Sequence, residues 1–148
     1  MRVLVLHGPN LNLFGRREPH IYGKMTLSEI NARLTSLAGE LGIELVILQS
    51  NHEGALIDCL QEHIDDADGA IINPAGYTNY GVALHDCIKT MPYPVIECHI
   101  SNRHAREEWR HHSIISSAVK ATVEGLGWRS YTAALRALVE ILQEANKK

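Results

Sequence analysis

A carboxylate and an imidazole stand two residues apart in the short apolar segment Val95 to His99, where Glu97 precedes His99. If this segment is a β-strand, alternate side chains project from the same face, so Glu97 and His99 are neighbours. A carboxylate beside an imidazole fixes the tautomer of the ring and favours its protonated form. The pair could therefore act as an oriented general acid near neutral pH. A polar strand end without a catalytic role is the alternative interpretation.

Two arginines follow at Arg106 and Arg110. The surrounding residues predict a helix, on which positions four apart share one face. Two guanidinium groups on that face would suit a carboxylate or a polyhydroxylated anion. The alternative is a solvent-exposed helix face on which both arginines pair with Glu107 and Glu108.

A third candidate is Tyr22, in the long polar loop after the first predicted strand. A tyrosine can act as a base when a nearby cation favours its phenolate, and the loop also contains Arg16 and Arg17. The same loop lacks G-x-G-x-x-G and G-x-x-x-x-G-K-[ST], so a dinucleotide or nucleoside-triphosphate site has little support. Most loop tyrosines only pack their rings, which is the alternative here.

The elements that must position these residues alternate between strand and helix about five times. Strands are predicted at residues 1–6, 43–48, 70–72, 95–99 and 119–123. Helices are predicted from the Thr26-x-x-Glu29 capping pattern to Gly42, after Gly54 with Ile64 on its buried face, from about Tyr80 to Thr90, around Arg106, and after Gly127.

This alternation predicts an α/β fold, a three-layer sandwich with helices on both faces of a five-stranded parallel sheet. We expect the flavodoxin-like strand order 2-1-3-4-5. In such sheets ligands bind beyond the carboxyl ends of the strands. The polar segments that begin at His7, Asn73 and His99 all follow predicted strands and should meet there.

The chain of 148 residues, 45% hydrophobic and 21% charged, predicts one globular domain over residues 1–148. Its net charge of −3 argues against a general nucleic-acid binder, and no apolar run is long enough for a membrane span. Without a signal-peptide pattern, a cytoplasmic location is expected. Three scattered cysteines suggest neither a disulfide framework nor a metal site, and the nine histidines include no H-E-x-x-H, so no metal is expected.

The sequence closely resembles the type II 3-dehydroquinate dehydratases, which dehydrate 3-dehydroquinate to 3-dehydroshikimate. The matching segments appear in family order and cover nearly the whole chain: His7-Gly-Pro-Asn-Leu-Asn-Leu, Gly15-Arg-Arg-Glu-Pro, Tyr22-Gly, Gln49-Ser-Asn, Asn73-Pro, Glu97-x-His99-Ile-Ser-Asn, and His104-Ala-Arg-Glu-Glu-Trp-Arg. The resemblance implies a flavodoxin-like fold and a homododecamer built of trimers. It also implies an anti elimination through an enolate, in the shikimate pathway or in quinate catabolism, without a cofactor.

The resemblance assigns the chemical roles to a few residues. It makes Tyr22 the base at C2, assisted by Arg17 in a mobile lid. Asn10 is similar to the residue that holds a water against the enolate. His99 looks like the acid at the C1 hydroxyl, oriented by Glu97.

The resemblance also implies the binding residues. The backbone at Ile100 and Ser101 resembles a carboxylate cradle, and Arg110 resembles a contact to the ring hydroxyls. The resemblance gives roles to three further residues. Asn73 helps to position His99, and Arg106 is a charged partner of the lid. Asp86 is similar to an acidic residue that reaches a neighbouring subunit's site.

One binding position departs from the family pattern, because Asn79 stands where a histidine is usual. Asparagine can donate and accept a hydrogen bond but cannot become charged. His85 likewise replaces a frequent arginine. A non-catalytic module that binds a cyclic polyol acid therefore stays a rival to the dehydratase, and a histidine-rich metal hydrolase is a third hypothesis.

Overall fold

The computed structural model describes the whole chain, Met1–Lys148. Its centre is one five-stranded sheet in the order β2-β1-β3-β4-β5, and every neighbouring pair is parallel. The strands are β1 (Arg2–His7), β2 (Glu44–Gln49), β3 (Gly69–Asn73), β4 (Val95–His99) and β5 (Ala121–Glu124). The predicted flavodoxin-like strand order is confirmed.

Five helices lie between the strands and a sixth follows the last strand: α1 (Pro19–Tyr22), α2 (Leu27–Leu41), α3 (Glu53–Glu62), α4 (Tyr77–Tyr80), α5 (Val82–Thr90) and α6 (Arg129–Asn146). Three 3-10 turns lie at Leu11–Leu13, Arg103–Ala105 and Glu108–Arg110. The capping prediction for α2 is confirmed, since the Thr26 hydroxyl accepts from the Glu29 N–H at 3.2 Å. Gly42 ends this helix with a φ of 67°, a conformation that glycine adopts without a steric penalty.

The sheet is buried on both faces, and alternate strand residues belong to two separate cores. Val3 and Val5 of β1 pack with α2 and α6, whereas Leu4 and Leu6 pack with α3 and α5. The same alternation sends His7 to the α2/α6 side. The sheet therefore delivers polar side chains to its carboxyl edge from both faces.

The predicted helix around Arg106 and Arg110 is wrong. Arg106 has an extended backbone, with φ −117° and ψ −163°, and it separates two 3-10 turns. Side chains bind carbonyl groups along this irregular segment: the His111 ring lies 3.0 Å from the Arg106 carbonyl oxygen, and the Asn79 amide donates to the carbonyl oxygens of Trp109 and His112.

Two further helices differ from their predicted boundaries. The helix expected from about Tyr80 to Thr90 is divided between α4 and α5 at Gly81, where a Cβ atom would lie 2.8 Å from the Tyr77 carbonyl oxygen. Ile64 lies just beyond α3 and not on its buried face. No helix is both long and apolar enough to cross a membrane.

Candidate active site

A pocket lies beyond the carboxyl ends of β3 and β4. Nine of the predicted site residues line it: Arg17, Tyr22, Asn73, Asn79, His99, Ile100, Ser101, Arg106 and Arg110. The structure therefore brings these residues together at the strand ends. Its lining contains four arginines and no acidic residue, so the pocket suits an anionic ligand.

Glu97 and His99 form the pair expected from their spacing on β4. The Nε2 atom of His99 lies 2.5 Å from Oε2 of Glu97. Glu97 is fully buried, and His99 is buried except for the part that lines the pocket. With Nε2 committed to the carboxylate, Nδ1 is the ring nitrogen left for a ligand.

The Glu97 carboxylate is held by two further donors. Thr78 donates its hydroxyl to Oε2 at 2.6 Å, and Ser116 donates to Oε1 at 2.9 Å. Burial by itself would raise the pKa of Glu97, but the hydrogen bonds and the charge of His99 outweigh it and hold the pKa below its usual value. Glu97 is thus a carboxylate at neutral pH, although it is removed from water.

Tyr22 lies at the end of α1 with two guanidinium groups against its ring. The Cζ atoms of Arg17 and Arg106 are 4.5 and 5.1 Å from the ring centroid. Phe14 packs on the ring at a centroid distance of 5.8 Å and helps to bury it. Two guanidinium groups therefore place positive charge directly against the Tyr22 ring.

Arg106 and Arg110 both line the pocket, although they do not share a helix face. Arg106 donates from Nη1 to the Ser101 hydroxyl at 3.3 Å, and Arg110 donates from Nε to Glu107 at 2.6 Å. Arg110 also stacks on Trp109, with Cζ 4.1 Å from the ring centroid. Each side chain is therefore held in place before a ligand binds.

Asn79 has a structural task that the sequence did not reveal. Its Nδ2 atom donates to the carbonyl oxygens of His112 at 2.8 Å and of Trp109 at 3.4 Å. Trp109 lies within the turn that carries Arg110, and His112 follows that turn. Only Oδ1 of Asn79 then remains for a ligand, where it could accept a hydrogen bond from a hydroxyl.

Three predicted site residues do not line the pocket. Glu97 lies behind His99, as its orienting role requires. Asn10 is exposed at the turn after β1, where its N–H donates to Asn51 at 3.0 Å and its φ is 68°. Asp86 lies on α5, where it contacts the ring of its neighbour His85.

Sequence reasoning missed a buried polar network beside Asn73. Asn73 donates from Nδ2 to the Tyr131 hydroxyl at 3.0 Å, and this hydroxyl lies 2.9 Å from Nδ1 of His7. The opposite ring nitrogen of His7 lies 2.8 Å from Oδ1 of Asn31. The partners belong to β1, β3, α2 and α6, so their sequence spacing shows no motif, and Tyr131 was predicted only as a core residue.

The directions of these bonds follow from the single proton on each group. If Nε2 of His7 donates to Asn31, Nδ1 accepts from Tyr131, and the tyrosine oxygen is free to accept from Asn73. Asn73 also accepts the Ala75 N–H at 3.1 Å. The amide of this pocket residue is thereby fixed in orientation.

No group of three or more His, Cys, Asp or Glu side chains in the chain is arranged to hold a metal ion.

Comparison with known proteins gives consistent matches over the whole domain. The family model described as Dehydroquinase class II matches residues 1–139. The 3-dehydroquinate dehydratase of Roseiflexus castenholzii is 52% identical over 139 residues, covering 94% of this chain and 88% of that protein. The corresponding protein of Desulforudis audaxviator is 51% identical over 142 residues, covering 96% and 95%. The crystal structure of type II dehydroquinase from Propionibacterium acnes is similar with a TM-score of 0.91 and 42% identity, covering 94% and 96%.

The His7 network predicts a specific pH dependence of stability. Burial lowers the pKa of His7 from 6.5 to about 4, against a smaller opposite effect of its bond to Asn31. The unfolded chain then binds this proton more readily, so stability is retained above about pH 6.5 and falls as the pH drops towards about 4. In urea denaturation at about pH 7.5 and about pH 5, wild type should lose roughly 2 kcal/mol more than His7→Gln, which cannot titrate. Equal losses in the two proteins would contradict a neutral, buried His7.

Proposed function

We propose that this chain, which belongs to the class II dehydroquinase family, removes water from 3-dehydroquinate to give 3-dehydroshikimate. The protein is a lyase of the shikimate pathway by this membership. The observation that most supports the reaction is the presence, in one pocket, of a tyrosine flanked by two cations and a histidine held by a buried carboxylate.

Tyr22 is the base in this proposal. Its phenolate takes a proton from C2 of the substrate, beside the ketone, and the electron pair left behind forms an enolate. Arg17 and Arg106 lie against the ring and stabilise the phenolate before the transfer. Both come from segments that flank the pocket, so substrate binding and base activation are coupled through the same two side chains.

His99 is the acid in the second half of the reaction. Its imidazolium gives a proton to the C1 hydroxyl as the enolate re-forms the ketone, so the hydroxyl leaves as water and the C1–C2 double bond appears. Glu97 fixes the ring through Nε2 and stabilises the positive charge. The fixed tautomer directs the acidic proton on Nδ1 to the pocket.

The remaining residues bind the substrate and the developing charge. Asn10 holds a water against the enolate oxygen, from its position at the turn after β1. The backbone at Ile100 and Ser101 binds the carboxylate, Arg110 contacts the ring hydroxyls, and Asn73 helps to position His99. A hydrogen bond to the enolate is stronger than one to the ketone, so it accelerates the reaction.

Assembly and location follow from the same family resemblance. We propose a homododecamer of trimers, in which Asp86 approaches the pocket of a neighbouring subunit. In its own subunit Asp86 is exposed and lies outside the pocket, and the nearby side chains of Tyr80 and Val82 are exposed apolar surface.

The three free cysteines suit a reducing compartment, which supports a cytoplasmic location.

The function is tested by adding 3-dehydroquinate to the purified protein. Wild type should generate the ultraviolet absorbance of the conjugated product, at the same rate in the presence of a metal chelator. Tyr22→Phe keeps the ring but removes the base, so kcat should fall at least about a hundredfold while binding of the product is nearly unchanged. Absence of product with wild type would contradict the function, and full activity of Tyr22→Phe would remove Tyr22 from the mechanism.

Asn79 should affect substrate binding more than chemistry, because the base and the acid lie elsewhere. Asn79→Ala removes both donors to the turn of Arg110 and the acceptor at Oδ1, so KM should rise by about threefold to tenfold or more with kcat similar. Asn79→His should change KM less than Asn79→Ala does. Steady-state kinetics of the two variants would contradict this role if kcat, and not KM, carried the loss.

A further inference from the structure

Two buried arginine nitrogens near the pocket have no hydrogen-bond partner in the protein: Nη1 of Arg103 and Nε of Arg106. Both residues line the pocket. A buried donor without a partner destabilises the protein, and more so when it is charged. Unpaired donors on two neighbouring pocket residues therefore indicate that a ligand completes this part of the site.

Arg103 is the more informative of the two because it is buried to more than nine-tenths, with 7% of its surface exposed. One edge of its guanidinium is anchored, since Nε donates to Oε2 of Glu124 on β5 at 2.7 Å. This ion pair fixes the orientation of the guanidinium before a ligand binds.

We propose that Arg103 binds the carboxylate of the substrate through Nη1, in addition to the backbone at Ile100 and Ser101. This inference rests on the proposed function, from which the ligand is taken. The carboxylate is the one charged group of 3-dehydroquinate, and the pocket lining is rich in arginine without a single acidic residue. Arg103 is then a residue that determines specificity for an acid over its neutral analogues.

The geometry favours the carboxylate over the ring hydroxyls as the partner of Arg103. Arg103 follows Ser101 by two residues, and the Ser101 hydroxyl is already fixed by Arg106. A charged donor also interacts more strongly with a carboxylate than with a neutral hydroxyl. Since the carboxylate keeps its charge throughout the elimination, Arg103 should contribute equally to the ground state and the transition state.

The test compares two ligands, 3-dehydroshikimate and its carboxamide, by calorimetric titration. Arg103→Met/Glu124→Gln removes the guanidinium without leaving an unpaired carboxylate at Glu124. It should weaken binding of the acid by about tenfold or more and change binding of the carboxamide by less than about twofold. Arg136→Met is the matched control, because it removes an exposed guanidinium on α6 that lies outside the pocket.

Arg103→Lys is measured in parallel, because it keeps the charge and the pairing with Glu124 but lacks the second arm of the guanidinium. It should lose part of the preference for the acid, by about threefold or more, even if the double variant does not fold. In whichever of these Arg103 variants folds, KM for 3-dehydroquinate should rise with kcat nearly unchanged.

If the Arg103 variants bind both ligands equally more weakly, Arg103 only supports the structure. If their preference for the acid over the carboxamide is unchanged, water alone occupies the site. Either result overturns the proposal. An effect of Arg136→Met as large as that of the Arg103 variants would also overturn it, because net charge would then explain the change. Wild-type turnover of 3-dehydroquinate is measured separately, so that failure of the proposed function is recognised independently.

Discussion

The buried contact between Glu97 and His99 is the constraint on which the rest of the site depends. A carboxylate without exposure to water, such as that of Glu97, is costly unless hydrogen-bond donors surround it. Here His99, Thr78 and Ser116 supply those donors. Thr78 comes from the segment after β3 and Ser116 from the segment after β4, so stabilising one buried charge also fixes two loops at the pocket.

The two faces of the sheet each position a different polar residue at its carboxyl edge. On the α3/α5 side, Glu97 and Thr78 hold His99, which gives the proton to the leaving group in the proposed mechanism. On the α2/α6 side, His7 and Tyr131 hold the amide of Asn73. Two independent networks of buried hydrogen bonds thus meet in one pocket, and each is built from a different set of elements.

The strand order and the position of the pocket could be predicted from the sequence because both follow from local patterns. Alternating apolar segments indicate a parallel sheet, and the spacing of Glu97 and His99 on a strand places them together without further information. The predicted helix at Arg106 failed for a tertiary reason. Asn79, which is distant in the sequence, binds the carbonyl groups of Trp109 and His112 in the irregular segment that forms instead.

The roles of Tyr131 and Arg103 could not be predicted from the sequence for the same reason. Tyr131 is spaced along the sequence with the apolar residues of α6, and Arg103 stands among other polar and charged residues. Their roles depend on partners in other elements: Tyr131 contacts His7 and Asn73, and Arg103 contacts Glu124. No local pattern encodes such contacts, so only the fold reveals which polar residues are buried and which of their atoms lack a partner.

The division of labour between Glu97 and His99 is tested most directly by comparing kcat for His99→Ala and Glu97→Gln with 3-dehydroquinate. Glutamine can still accept from His99 and Thr78 with its oxygen, and its amide can face the Ser116 hydroxyl, so it retains the orientation of the ring and loses only the charge. His99→Ala removes the proton donor itself. We predict a larger loss of kcat for His99→Ala than for Glu97→Gln. A larger loss for Glu97→Gln would contradict the assignment of His99 as the acid and Glu97 as the residue that positions it.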